Sequence, residues 1–599
     1  MGCNSPFEQF LQQVQTPARY LGLEHNSVRK DPQSVSVRFA LCYPDMYEIG
    51  MSHLGSQILY AIINAHPLAA CERTYHPAAD AVEAMRALDV PLSSLESKTP
   101  LVDFDFVGIT LQHELNYTSV LSLLDLAGIP LRSENRLPHH PLVIGGGPCA
   151  YNPEPLAPFF DLFVIGEGEE VVAEIIEAYA AQPSPRDDRA ALLARLAEID
   201  GVYVPSLGTD RVIQKRFIQD LNTIPAATAP VVPFCQIVHD RGQLEINRGC
   251  TRGCRFCQAG MVYRPVRERS VETLTEQAVQ IIDNSGYDEL SLVSLNCPDY
   301  GDIITLVDRL HEQLGPRRVS LGLPSLRTDS FSVELAERVQ RVKKTGLTFA
   351  PEAGSQCLRD SINKNVTEDN LMNAARAAFE LGWQRLKLYF MIGLPGETEE
   401  DVLAIGDLVE KVLGLGREVL GKAKGRLAIN VSIASFIPKP HTPFQWSRQN
   451  TIDELRGKQD MLRGILGRYR QVKASFHSPE QAIVEALLAR GGREWADLLE
   501  AAYRAGALFE SWNDNFSLGL WLEVTRERGL DLLAEAQREW ALDAPLPWDH
   551  ISCGVEKAFL VSELQQAEAE TITQDCRWGE CSNCGMRGLA LRCAEQGAH

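Results

Sequence analysis

No stretch of the 599 residues strings together the roughly 18 apolar side chains that a membrane helix needs. The opening M-G-C-N-S-P-F-E-Q-F lacks the basic-then-apolar order of a secretion signal, so a cytoplasmic chain with no membrane partner is expected. The Met-Gly-Cys start resembles an acylation site, but Pro6 stands where N-myristoylation requires Ser or Thr. Positive charge is also in deficit. Lys and Arg number 58 against 79 Asp and Glu, a formal charge of −21, so the molecule as a whole lacks the basic field that gathers nucleic acid. Internal repeats and low-complexity segments are missing too, and a 45% hydrophobic, 23% charged composition is ordinary globular usage. At this length three or four compact units are expected, each with its own core.

Cysteine is what the chain has in quantity. Fifteen of them in a chain read as cytoplasmic point to metal ligands or buried thiols, because that compartment keeps thiols reduced. Their surroundings divide the sequence. After an N-terminal arm (1–30), residues 31–205 alternate short apolar runs with helical stretches, which predicts β-α-β units, a parallel sheet and a Rossmann-like α/β domain. A Pro- and Ala-rich linker (206–240) leads to a second alternating series (241–450). Its six runs, from Q-L-E-I-N-R-G-C to L-A-I-N-V-S-I-A-S-F-I-P, predict a partial (β/α)6 barrel with working residues at the strand C-termini. Residues 451–550 carry helical spacing, and 551–599 form a cysteine-rich tail. Thr398 with Asp401, and Ser270 with Glu272, mark helix starts.

Cys250, Cys254 and Cys257 stand in C-T-R-G-C-R-F-C directly after a predicted strand. Thiolates are the usual ligands of iron-sulfur clusters, and one compact loop can wrap three of them around a cube. One iron is then left without a protein ligand, open to an exogenous chelator. A zinc knuckle usually pairs two C-x2-C hairpins, and no fourth Cys or His follows nearby.

This C-x3-C-x2-C pattern, with aromatic Phe256 before the last cysteine, resembles the radical S-adenosylmethionine (SAM) superfamily. The resemblance implies a [4Fe-4S] cluster on the three cysteines, SAM chelated at the open iron, and reductive cleavage of SAM to a 5'-deoxyadenosyl radical. It also implies a flavodoxin- or ferredoxin-type electron donor. Glu352, Gly354 and Ser355 in A-P-E-A-G-S look like the family's segment for the SAM ribose and methionine. Gly393, Pro395 and Gly396 in M-I-G-L-P-G-E-T look like its adenine turn, where glycine lets backbone approach the base. Arg327 in L-P-S-L-R-T-D is a further candidate for a SAM carboxylate.

In the first α/β domain, Asp45, Tyr47 and Gly50 spell D-M-Y-E-I-G, which resembles the D-x-H-x-x-G cobalamin signature with tyrosine in place of histidine. Thr110 and then Gly145 and Gly146 follow the order of that fold's later elements. The resemblance implies cobalamin bound without a histidine on cobalt, as in the B12-binding-domain subclass of radical SAM enzymes; a Rossmann-like domain without the cofactor is the alternative. Together with P-K-P-H-T-P-F-Q-W and the tail, these segments resemble one bacterial family of that subclass.

Cys576, Cys581, Cys584 and Cys593 crowd the tail and suggest a second metal centre, iron-sulfur or zinc. Cys297, Cys357 and Cys553 stand alone and read as small buried hydrophobes. The function expected is a cobalamin-dependent radical SAM methyl transfer to an unactivated carbon. The alternatives are methylthiotransferase-like modification of tRNA or a ribosomal protein, with Cys42, Cys71 and Cys149 as candidate extra ligands, or a cluster-binding protein without turnover. Substrate identity does not follow from the motifs, and RNA and protein are both open.

Overall fold

Seven residues of V-R-F-A-L-C-Y bury almost every side chain, the mark of a strand covered on both faces. They form β1 (Val37–Tyr43), at the heart of a sheet with β2 (Ala69–Tyr75), β3 (Phe106–Thr110), β4 (Leu142–Gly146), β5 (Leu162–Val164) and β6 (Val202–Tyr203). The order is β2-β1-β3-β4-β5-β6, parallel except that β6 runs against β5. Alternate residues of β1 enter two cores. Val37, Phe39 and Leu41 pack with the helices Leu54–Ala65 and Glu169–Ala180. Ala40 and Cys42 pack with Tyr117–Leu126, buried along its length because the C-terminal helices cover it. The computed structural model describes residues 5–182, 185–323, 338, 347–421, 425, 427–590 and 593.

The second unit follows β7 (Ile213–Gln214) and uses β8 (Gly242–Glu245), β9 (Asn247–Arg248), β10 (Arg267–Glu268), β11 (Glu289–Val293), β12 (Ser320–Gly322), β13 (Leu347–Glu352), β14 (Arg385–Ile392), β15 (Ala428–Ser435) and β16 (Val472–Phe476). Among the described residues these give two parallel sheets, β12-β11-β8 and β13-β14-β15-β16, with β9 paired antiparallel to β10. β14 shows how the second sheet divides its faces between core and surroundings. Leu386, Leu388, Phe390 and Ile392 are buried while Arg385 and Tyr389 are exposed, each buried side chain contributing about 1.5–3 kcal/mol of transfer energy. Thr398 builds the expected capping box with Asp401, and Ser270 caps Val271–Ser285.

Two expectations need correction. Among the described residues the two parallel sheets of this unit hold seven strands rather than six, because β16 comes from the segment read as helical. Its V-K-A-S-F sequence alternates half-buried with exposed side chains, but over only five residues inside a long stretch of helical spacing. The 206–240 linker is also tied into the fold, since β7 pairs in parallel with β17 (Ile551–Ser552), which opens the tail. No helix among the described residues is long and apolar enough to cross a membrane.

Candidate functional site

The chain leaves β9 through Gly249, at φ +88°, where a Cβ would lie 2.2 Å from the Pro265 carbonyl oxygen. Glycine alone fits that turn, and it delivers Cys250, Cys254 and Cys257 to the C-terminal mouth of the barrel. The Cys257 amide donates to Cys254 O at 3.0 Å, and the Gly260 amide donates to Cys257 Sγ at 3.4 Å. Burial pushes the Cys257 thiol up to about 12, and the neighbouring sulfurs of Cys254 and Cys250 add to it. Cys250, Cys254 and Cys257 stand close enough for their charges to act on one another, and three clustered thiols are the usual ligands of iron-sulfur centres. The donor set therefore fits a multi-iron cluster. Between the cysteines Arg255 turns away from the sulfurs. Its buried guanidinium pairs with Glu563 at 3.0 Å and donates to Ser361 O at 2.8 Å and Thr571 O at 2.9 Å.

Beside the loop, Glu352 ends β13 at φ +69° and pairs with Lys364 at 3.0 Å, whose charge also acts on Cys257. Phe256 packs against Ala353, Leu358, Ile362 and Leu394, so the expected SAM segments of three strands do meet. Gly354 and Ser355 serve that meeting rather than open space. A Cβ on Gly354 would strike Asp401 O at 2.3 Å, and Ser355 donates to the Asp401 carboxylate while capping Gln356–Ser361. Gly393 and Gly396 both take positive φ and, with Pro395, line a cavity of about 1030 Å3. Cys357, at its edge, is exposed rather than buried. Arg327 lies outside the described residues.

A second cavity, about 450 Å3, separates the two α/β units. It opens on the barrel side at Arg248, Gly249 and Leu295, passes Thr110 and Gly145–Gly147, and penetrates between the sheet and its helices to Ile63 and Ile175. Its glycines differ in kind. Gly145 is demanded by Phe163, 2.6 Å from where its Cβ would be, and Gly147 by φ +113°. Gly146 has ordinary φ and no atom nearer than 3.9 Å to a built Cβ, so the empty space beside it belongs to the cavity. His53 also lines this space. It caps Leu54–Ala65 through Nδ1, and burial pushes it down to about 4, a neutral imidazole. Arg248 clamps the units together, reaching Glu169 at 2.6 Å and Glu167 at 3.4 Å.

Here the D-M-Y-E-I-G reading is corrected. Asp45, Tyr47 and Gly50 do not line this cavity. Tyr47 is core, its hydroxyl donating to buried Glu24 at 3.0 Å with its ring edge-on to Tyr75. Buried Asp45 accepts from Trp512 Nε1 at 3.2 Å, and Gly50 faces a separate cavity behind β1. The candidate extra cluster ligands also part company, because Cys42 and Cys71 sit in cores on opposite faces of the sheet.

Two features escaped the sequence because their members are far apart in it. Lys439 of P-K-P-H-T-P is buried between Glu114 at 2.6 Å and Glu485 at 2.8 Å, with His113 3.3 Å from Glu485. This joins both units to the helix Pro479–Arg490. The lone Cys553 is likewise no plain hydrophobe: buried beside His441 and Lys215, its thiol is drawn down to about 7, the imidazole's charge overcoming desolvation.

Residues 55–205 match the family described as Radical SAM proteins, N-terminal, and residues 244–409 match the Radical SAM superfamily. An uncharacterized protein of Methanocaldococcus jannaschii is 28% identical over 500 residues, 82% of this chain and 97% of its own. The cytidylyl-2-hydroxyethylphosphonate methyltransferase of Streptomyces wedmorensis is 28% identical over 28% of this chain and 33% of its own. Among solved structures, the radical SAM methyltransferase TsrM of Kitasatospora setae, with cobalamin and a [4Fe-4S] cluster bound, aligns with a TM-score of 0.46 and 14% identity, covering 67% of this chain and 75% of that one.

Proposed function

The chain is a radical SAM enzyme, and we propose that it methylates an unactivated carbon with the help of cobalamin held in the cavity between its two α/β units. The observation that carries this reading is the path of that cavity. It begins at Gly249, the residue before Cys250, and ends in the apolar layer behind the sheet, with Gly146 keeping its wall flat for reasons no protein atom explains. A cofactor with a broad head and a long tail needs that shape. The name of the Streptomyces relative, a methyltransferase, agrees with it.

When bound, the cluster and SAM supply a hydrogen-abstracting radical and cobalamin supplies a transferable methyl group. The chain's own residues do the rest. Cys250, Cys254 and Cys257 would hold the cluster, and the Gly260 amide donates to one of their sulfurs. Lys364 and Glu352 form a charge pair near Cys257 that would receive the amino and carboxylate groups of SAM. Phe256 and the Gly393–Gly396 turn would enclose the adenosyl portion. A flavodoxin- or ferredoxin-type protein supplies the electron.

Anaerobic purification with hydroxocobalamin present, followed by visible spectroscopy, tests the reading. The wild type should retain about one cobalamin, and Gly146→Leu, which fills the cavity without backbone strain, should retain at least tenfold less at an unchanged iron content. Cobalamin-free protein that still methylates its substrate at the wild-type rate overturns the proposal.

A further inference from the structure

We propose that Cys576, Cys581, Cys584 and Cys593 hold a second iron-sulfur cluster, pressed against the loop that carries the first. The inference does not depend on cobalamin.

The spacing C-x4-C-x2-C with a later cysteine is the one plant-type ferredoxins use to ligate a cluster with four thiolates. The fold of the segment points the same way. From Thr571 to Ala590 its one regular element among the described residues is the short turn Met586–Gly588, and its buried side chains are Asp575, Met586 and Ala590. So little apolar burial does not fix a chain by itself, and small segments of this kind are held by a metal or a disulfide. Cys576, Cys581 and Cys584 are not in disulfides.

The path is nevertheless specified. Thr251, next to Cys250, donates to Asp575 at 2.6 Å. Asp299 receives Arg577 at 2.8 Å and Arg252 Nε at 2.8 Å, so one carboxylate ties the tail to the first cysteine loop. The Cys584 carbonyl accepts from the Glu556 amide at 2.9 Å. Cys576 has Cys584 and Cys593 as thiol neighbours.

Facing this group is Arg264. Its guanidinium is buried among Cys584, Cys576 and Cys250, donates through Nε to Gly260 O at 2.9 Å, and its Nη1 has no hydrogen-bond partner among the described residues. A buried cation without a carboxylate calls for an anion, which four thiolates around iron and sulfide provide.

Iron and sulfide analysis with Mössbauer and EPR spectroscopy, on the full chain reconstituted anaerobically, tests this. The wild type should hold more than four irons. The C250A/C254A/C257A variant should keep a cluster whose EPR signal ignores added SAM, and C576S/C581S/C584S/C593S should lose that cluster but keep a four-iron centre that responds to SAM. C581S alone, at a half-exposed position, repeats the second result should the quadruple variant fail to fold. Four irons in total in the wild type, or stoichiometric zinc that leaves with the tail cysteines, overturns the inference. Loss of the SAM-responsive centre from the tail variants would instead count against the reading of the first loop.

Discussion

The N-terminal sheet and the barrel turn the same ends of their strands toward each other and furnish them in opposite ways. On the sheet side the strand ends are glycine and aliphatic, and the space they leave is empty; on the barrel side the strand ends carry thiols braced by ion pairs. The contrast separates two kinds of binding problem. A large ligand with an apolar tail needs room and few fixed charges. A chelated, redox-active centre needs ligands that cannot move, and Arg255–Glu563 and Arg252–Asp299 supply that rigidity.

The contrast breaks most sharply if the two sides can be disabled separately. Cys254→Ala should reduce 5'-deoxyadenosine formation from SAM to background while cobalamin retention stays at the wild-type level, the reverse of Gly146→Leu. If both variants lose both ligands, the sides are one site and the comparison fails. Next in size is the brace. Glu563→Gln leaves the Arg255 guanidinium buried without its carboxylate, and removing one partner of such a pair costs roughly 3 kcal/mol or more. Faster proteolysis of the tail and a lower melting temperature should follow, with the N-terminal sheet untouched.

The remaining effect belongs to the sheet side and is read by pH. Burial pushes both His53 and His76 down to about 4. The unfolded chain accepts a proton at each near 6.5 and the folded chain refuses it. Stability is therefore full above about 6.5 and falls as the solution is acidified toward 4, by at most about 1.4 kcal/mol per histidine per pH unit. Thermal midpoints between pH 7 and 5 should fall less steeply in H53N/H76N than in the wild type; equal slopes would show that these imidazoles are not the source.

Legibility in the sequence follows the same divide. The cysteine loop, the G-L-P-G turn and the strand alternation are local patterns, and the structure brings their residues to one mouth. Thr110, Gly145 and Gly146 are local patterns too, and they line one cavity. Tyr47 was not, because a signature position says nothing of which way its side chain points, and Glu24 lies 23 residues upstream. Lys364 beside Cys257, Arg264 between two cysteine groups and Lys439 between Glu114 and Glu485 come from segments up to 325 residues apart, and no local pattern announces such meetings. β16 escaped for another reason: its apolar-polar alternation lasts only five residues beside a long helical pattern.

The pairing of Ile213–Gln214 with Ile551–Ser552 also sets a timetable for the ribosome. Partners 338 residues apart cannot meet until β17 has left the ribosome. Until then β7 has no strand partner, and the first cysteine loop lacks the contacts that Glu563 makes with Arg255 and Asp575 with Thr251. Metal delivered before that point would meet a loop without those contacts, and the arrival of the later residues would cover it.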